Sequence, residues 1–302
     1  MRENLKIYFS AVCSLLVFLM VITGCATGGR VYRESISPVN IIPADAFLYI
    51  RSGQTFFNNP ALNAEIERLT QDYGIPDYFR EKTETVSLVF IDEGLEYITA
   101  EGSYPDSFIK KRLDQSSDWI KSEYRKAGYY YSADSGIILI PYKNNCLIAS
   151  RRTSSGTADT AALRAEKIIA ILKSDRNSAY IPSGNSALYL RAEKKGNSLS
   201  AFLPAGINAD SIELIDLDFI IDPLIAGKSD INGTFTITDE KKALIFSSMF
   251  RLFLTNYYRK EGIADLKTML EKNSINNDGR KVLISITDFP LEKLGSLIHY
   301  GK

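Results

Sequence analysis

The residues of this 302-residue chain that could do chemistry fall into four arrangements. Asp216, Asp218 and Asp222 alternate with Ile215, Leu217, Phe219 and Ile221, so on a strand the three carboxylates point to one side. Clustered carboxylates bind Ca²⁺ or do acid–base work. The same spacing describes a half-buried antiparallel strand with its polar face in water, and no Gly-bearing calcium loop accompanies it. Ser107 and Lys110 have the spacing of a nucleophilic Ser–Lys pair, and Ser183-Gly184-Asn185 mimics a second element of such sites. No Lys-Thr-Gly or Lys-Ser-Gly strand follows, and Lys110 reads as a solvated helix residue. DPLIAGKS (Asp222 to Ser229) ends like a phosphate-cradling loop, yet Asp222 stands where the amides need a glycine, and a strand pattern follows in place of a helix. His299, the one imidazole, lies at the C-terminus, and Cys146 in CLIAS reads as a small buried apolar side chain. The expectation is a protein with no catalytic residues, no metal and no cofactor. A hydrolase using Asp216 and Asp218 is the least supported alternative.

Bulk composition points the same way. Thirty-six basic and thirty-six acidic residues cancel, so the basic footprint of a nucleic-acid binder is absent. With 45% hydrophobic and 24% charged residues the composition is globular, and the length suits one large or two modest domains.

The N-terminus is read from its own chemistry. Arg2 and Lys6 precede an uncharged apolar run from Ile7 to Gly24, shorter than the roughly 20 residues of a spanning helix. It ends in Ile22-Thr23-Gly24-Cys25, which resembles the lipobox of bacterial lipoproteins. The resemblance implies that residues 1–24 are a signal peptide and that Cys25 becomes the acylated N-terminus, carrying chains such as palmitate. Cys13 would leave with the signal peptide and Cys25 would be consumed by the lipid. Cys146 then stands alone, and no intramolecular disulfide can form. Two or more acyl chains suffice for stable anchoring. Ala26, in place of Asp, points to the outer membrane by the enteric sorting rule.

The elements that must position any site follow. Residues 25–40 are polar and aperiodic and read as a tether. Beyond it, PADAFLYIRS (Pro43 to Ser52) and PSGNSALYLRA (Pro182 to Ala192) share a Pro, a polar turn and a Tyr-centred strand. Strand patterns follow each, then a helix, so residues 41–180 and 181–302 read as two tandem copies of a related α+β unit. Thr85–Ile91, LEYITAE, GYYYSA, IILIP, CLIAS, Ile212–Asp222 and GTFTIT predict strands. NPALNAEIERLTQDYG (59–74), a segment with Ile109 and Leu113, ADTAALRAEKIIAILK, GIADLKTMLEKN and LEKLGSLI predict helices. The fold expected is α+β, antiparallel sheets with helices packed on one face.

One helix carries the functional question. In ALIFSSMFRLFLTNYY (Ala243 to Tyr258), Ile245, Phe246, Met249, Phe250, Phe253 and Tyr257 share a broad arc flanked by Leu252 and Leu254. Ser248, Arg251, Thr255 and Arg259 form a narrower polar strip. One reading is a helix buried between the sheet and a second helix. The other is an interfacial helix whose aromatic residues lie at the headgroup boundary, with Arg251, Arg259 and Lys260 near phosphates.

A lipidated α+β chain with amphipathic helices resembles spirochaetal outer-membrane lipoproteins. The resemblance implies membrane contact through helices, with a lipid or small apolar ligand as a further partner, and no catalytic residues. The chain is therefore expected to be a lipid-anchored envelope protein, periplasm-facing or surface-exposed, that binds membrane, lipid or protein partners without catalysis. A carrier of lipid or a small apolar ligand is the alternative.

Overall fold

A computed structural model of the chain describes residues 37–53, 82–91, 94–103, 106–124, 127–132, 134, 136–142, 146–151, 158–181, 186–194, 199, 209–221, 228–260 and 266–290. The signal peptide, Cys25, the helix expected over 59–74, residues 291–298, Asp222 and His299 lie outside the described residues. A compact unit begins at Pro38. Pro38–Asn40, assigned to the tether by composition, is a 3₁₀ turn with Pro38 and Val39 buried. Its residues are held by packing that composition does not report.

The strands are β1 (Ile41–Ile42), β2 (Ala46–Gly53), β3 (Thr83–Ile91), β4 (Gly94–Gly102), β5 (Ile120–Tyr124), β6 (Ala127–Tyr131) and β7 (Ile137–Tyr142). Then come β8 (Cys146–Arg151), β9 (Ser178–Ala179), β10 (Ser186–Glu193), β11 (Ile212–Ile220), β12 (Lys228–Ile237), β13 (Ser274–Asp278) and β14 (Lys281–Pro290). The helices among the described residues are α1 (Asp106–Asp114), α2 (Ala158–Leu172), α3 (Glu240–Lys260) and α4 (Leu266–Lys272). The class is α+β, as the pattern predicts.

A 12-stranded antiparallel sheet runs in the order β13-β14-β12-β11-β10-β2-β3-β4-β8-β7-β6-β5, while β1 and β9 form a separate pair. The sheet crosses the 180/181 boundary without a break. Its two central strands, β2 and β10, carry the similar Tyr-Arg motifs, and they exchange them across the pairing: Tyr49 lies opposite Arg191, and Arg51 opposite Tyr189. On each side of this centre the chain makes a three-stranded meander and a helix. A later strand then returns beside the third, β8 beside β4 and β14 beside β12.

The helices divide between the two faces of the sheet, where one covered face was expected. On β7 and β8, Ile138, Ile140, Cys146 and Ile148 pack with Ala161, Ala165, Ile168 and Ile169 of α2. The alternate residues Ile137, Leu139, Leu147 and Ala149 pack with Ile109 and Leu113 of α1. Because successive strand residues point to opposite sides, α1 and α2 cover opposite faces. Unbroken apolar runs such as Ile137–Ile140 are the sequence counterpart of this two-sided burial. Farther along, α3 covers the α1 face over Ile215, Phe219, Ile231, Phe235, Val282 and Ile284. The α2 face of those strands is left polar, with Asp216, Asp218, Asn232 and Thr234 in register.

Candidate functional site

α3 is the longest helix described, and its ends are set by local chemistry. The Asp239 carboxylate accepts a hydrogen bond from the Lys242 amide at 2.8 Å, satisfying one of the first-turn donors. That bond holds the Asp239 carboxyl below the usual carboxylate range. Arg259 and Lys260 occupy the last turn, where their charge complements the helix dipole.

The inner half of the helix is core. Ala243, Phe246, Phe250, Leu254 and Tyr258 are buried against the sheet. Phe235 of β12 lies 4.9 Å from the Phe246 ring and 5.6 Å from that of Phe250, and those two rings are 5.9 Å apart. Each such side chain contributes about 1.5–3 kcal/mol by leaving water. Polar ties then fix the helix on its β13 side. Arg251 Nη2 donates to the Ile275 carbonyl, Asn277 Nδ2 donates to Ser247 Oγ at 3.0 Å, and Asn273 Nδ2 donates to Tyr258 Oη at 2.8 Å.

The outer half carries apolar side chains among exposed polar ones, Lys241, Ser248, Asn256 and Arg259. Leu244, Ile245, Met249 and Leu252 are exposed by 58%, 59%, 39% and 60%. Two hydroxyls on this side turn inward: Ser248 Oγ donates to the Leu244 carbonyl at 2.9 Å and Thr255 Oγ1 to the Arg251 carbonyl at 2.8 Å. Back-bonding of this kind spends the donor on the helix and leaves carbon facing outward. At 100° per residue, Lys241, Leu252 and Arg259 share one azimuth, with the two cations about 27 Å apart at either end of the apolar strip. No described helix is long and apolar enough to cross a membrane. A strip bounded by long basic side chains suits a helix lying in the interface, where the stems of Lys and Arg cover apolar surface and their heads reach phosphates.

The broad arc seen on the helical wheel is thus split by the sheet. Phe246 and Phe250, expected on a contact face, are core residues. Phe253 and Tyr257 are half-buried and pack against the same core. Ile245 and Met249 are exposed. Leu244, which the wheel did not single out, joins Leu252 eight residues on. Its signal was the i, i+1, i+5, i+8 spacing of Leu244, Ile245, Met249 and Leu252, a second apolar face beside the aromatic one.

The aspartates of β11 do share a side, as their alternation predicts, and each is engaged there. Asp216 Oδ2 lies 3.5 Å from Arg191 Nη1. Burial lifts its carboxyl above the usual range, against the opposing pull of Tyr189 and Arg191. Ser186 Oγ donates to Asp218 Oδ1 at 2.5 Å and accepts from Tyr180 Oη at 2.8 Å. No group of three or more His, Cys, Asp or Glu side chains suited to a metal occurs among the described residues. Cys146 is fully buried in β8, as CLIAS suggested.

Comparison with known proteins bears on the fold. The chain is similar to two crystal forms of TP0453, a Treponema outer-membrane lipoprotein. Form III gives a TM-score of 0.54 at 13% identity over 88% of this chain and 98% of that one. Form I gives 0.54 at 13% over 87% and 97%. At that identity the likeness is one of fold. No protein-family model and no curated protein matches the chain.

Proposed function

We propose that the chain is a lipid-anchored envelope protein, held through Cys25, that acts without catalysis by laying the outer face of α3 on a membrane. The observation that carries this reading is the exposed strip Leu244, Ile245, Met249 and Leu252 on a helix whose opposite side is already satisfied by the core. Contiguous exposed apolar side chains mark interaction surfaces. A chain tethered by acyl chains needs little added affinity for its helix to stay down. The fold likeness to an outer-membrane lipoprotein supports the outer membrane as its location.

The carrier reading needs α3 to line a cavity with its aromatic residues. Phe246 and Phe250 instead stack on each other and pack, tilted, against Phe235, which favours the membrane-contact reading. A hydrolase at Asp216 and Asp218 gains no support from carboxylates already paired with Arg191 and Ser186.

An environment-sensitive fluorophore on Leu252→Cys tests the proposal. Emission should shift to the blue when phospholipid vesicles are added, while the same label at Asn232, on the polar face of β12, should not respond. Equal behaviour of the two labels would refute the membrane contact.

A further inference from the structure

A second feature lies on the opposite face, at the centre of the sheet. Pairing aligns Arg51 of β2 with Ser87 of β3, and Ser87 with Thr99 of β4, in one row across adjacent strands. Arg51 is only 8% exposed, and Ser87 and Thr99 are fully buried. The Arg51 Nε donates to Asn40 Oδ1 at 2.7 Å, and its guanidinium lies 5.6 Å from the Tyr180 ring centre. Its Nη1, Ser87 Oγ, Thr99 Oγ1 and the nearby Tyr97 hydroxyl find no hydrogen-bond partner among the described residues.

Such a row is unusual in kind. Buried polar groups are nearly always bonded, and a buried cation needs a counter-charge. Asp216 on this face pairs with Arg191, and Asp218 lies two strands from Arg51 in the same row, with Tyr189 between them. What the row presents is a guanidinium with a free N–H beside two hydroxyls, the donor set that recognises oxyanions. The Pro38–Asn40 turn packs over β3 and β4 and closes the site from above. It is held there by the Tyr49 hydroxyl, which donates to the Val39 carbonyl, and by the Tyr180 amide, which donates to the Asn40 carbonyl at 2.9 Å.

We propose that Arg51, Ser87 and Thr99 hold a small oxyanion, a phosphate or carboxylate, beneath the Pro38–Asn40 turn. Enclosure on this scale excludes a headgroup still attached to a bilayer, so the ligand is a free ion that enters when the turn lifts. Binding neutralises Arg51 and secures the first folded residues after the tether. The site is separate from the outer face of α3 and does not depend on membrane contact.

The test is thermal unfolding of the mature lipoprotein in detergent, titrated with inorganic phosphate or with acetate against chloride at fixed ionic strength. At least one of the two oxyanions should raise Tm, by about 3 °C at ten times its Kd and then in proportion to the logarithm of its concentration. Arg51→Met should lose that response. Ser87→Ala combined with Thr99→Val, which keeps the charge, should weaken it and provides the comparison if Arg51→Met does not fold. Identical melting of the wild-type protein in phosphate, acetate and chloride would overturn the proposal, as would an undiminished response in both variants.

Discussion

Phe250 and Leu252 stand two residues apart on α3 and face opposite ways: Phe250 is 8% exposed and Leu252 is 60% exposed. At 100° per residue they are separated by most of a half-turn, and the sheet lies under one of them only. The choice between a core helix and a membrane-facing helix is therefore made residue by residue. α3 has a core side and an exposed apolar side, with Phe246, Phe250, Leu254 and Tyr258 inward and Leu244, Ile245, Met249 and Leu252 outward.

Stability should follow the same division. Phe250→Ala removes a ring packed between Phe235, Phe246 and Phe253 and should cost about 3–5 kcal/mol. Leu252→Ala should stay within about 0.5 kcal/mol of wild type. Urea unfolding midpoints compare the two directly.

Glu96 ties α2 to the sheet. Arg164 Nη1 and Lys167 Nζ both reach its Oε1 at 2.9 Å, off the hydrogen-bond line, so they pair with it as charges. Arg164 also donates to the Glu96 carbonyl at 2.8 Å and to Ser150 Oγ at 3.1 Å. Because Arg164 is largely buried, Glu96→Gln leaves a cation without its counter-charge and should lower stability by about 2 kcal/mol. Hydrogen exchange should show protection lost first along α2, with α3 unaffected.

Asp216 makes a pH prediction whose sign follows from burial. Its carboxyl is raised, so the folded state holds the proton more tightly than the unfolded chain does. The stabilisation is fully present below the unfolded value of about 3.9 and is lost as pH rises through the folded value. Asp216→Asn fixes the neutral form. Its stability curve should lack the wild-type decline just above that unfolded value, seen as a gap between the two curves that changes with pH and then levels off.

Gly233 permits the close approach of β12 to β11. A Cβ there would lie 2.3 Å from Leu217 Cδ2 and 2.7 Å from the Asp216 carbonyl oxygen. The Leu217 methyl can move, but the carbonyl belongs to the paired strand. Gly233→Ala should destabilise by about 1–3 kcal/mol, read from chemical denaturation.

Much of this architecture is legible from pattern alone. ADTAALRAEKIIAILK is α2, and the alternation of Ile215 and Phe219 against Asp216 and Asp218 is realised in β11. The β13–β14 hairpin is harder to see, because SINND buries a single apolar residue, Ile275. Its signals are the Asp278-Gly279 turn, with Gly279 at a φ of 58°, and the alternation of Val282, Ile284 and Ile286.

The sites are less legible for a physical reason. A helical wheel places Ile245 and Phe246 as neighbours on one arc, and only the position of the sheet decides which of them meets water. The Arg51 row is further from view, since Arg51, Ser87 and Thr99 belong to three strands. Their alignment depends on registers that are shifted at Ala46/Leu48 and Val89/Phe90. A single strand's pattern carries no record of such shifts.

The central claim rests on the outer face of α3, and flotation with phospholipid vesicles tests it most directly. The chain from Ala26 onward, without its lipid, is compared with its Leu252→Asp variant, and both are checked for the same melting temperature. The wild-type chain should rise with the vesicles and the equally stable variant should remain in the aqueous fraction. If the wild-type chain stays behind, or Leu252→Asp floats as well as wild type, α3 does not contact the membrane and the account is contradicted.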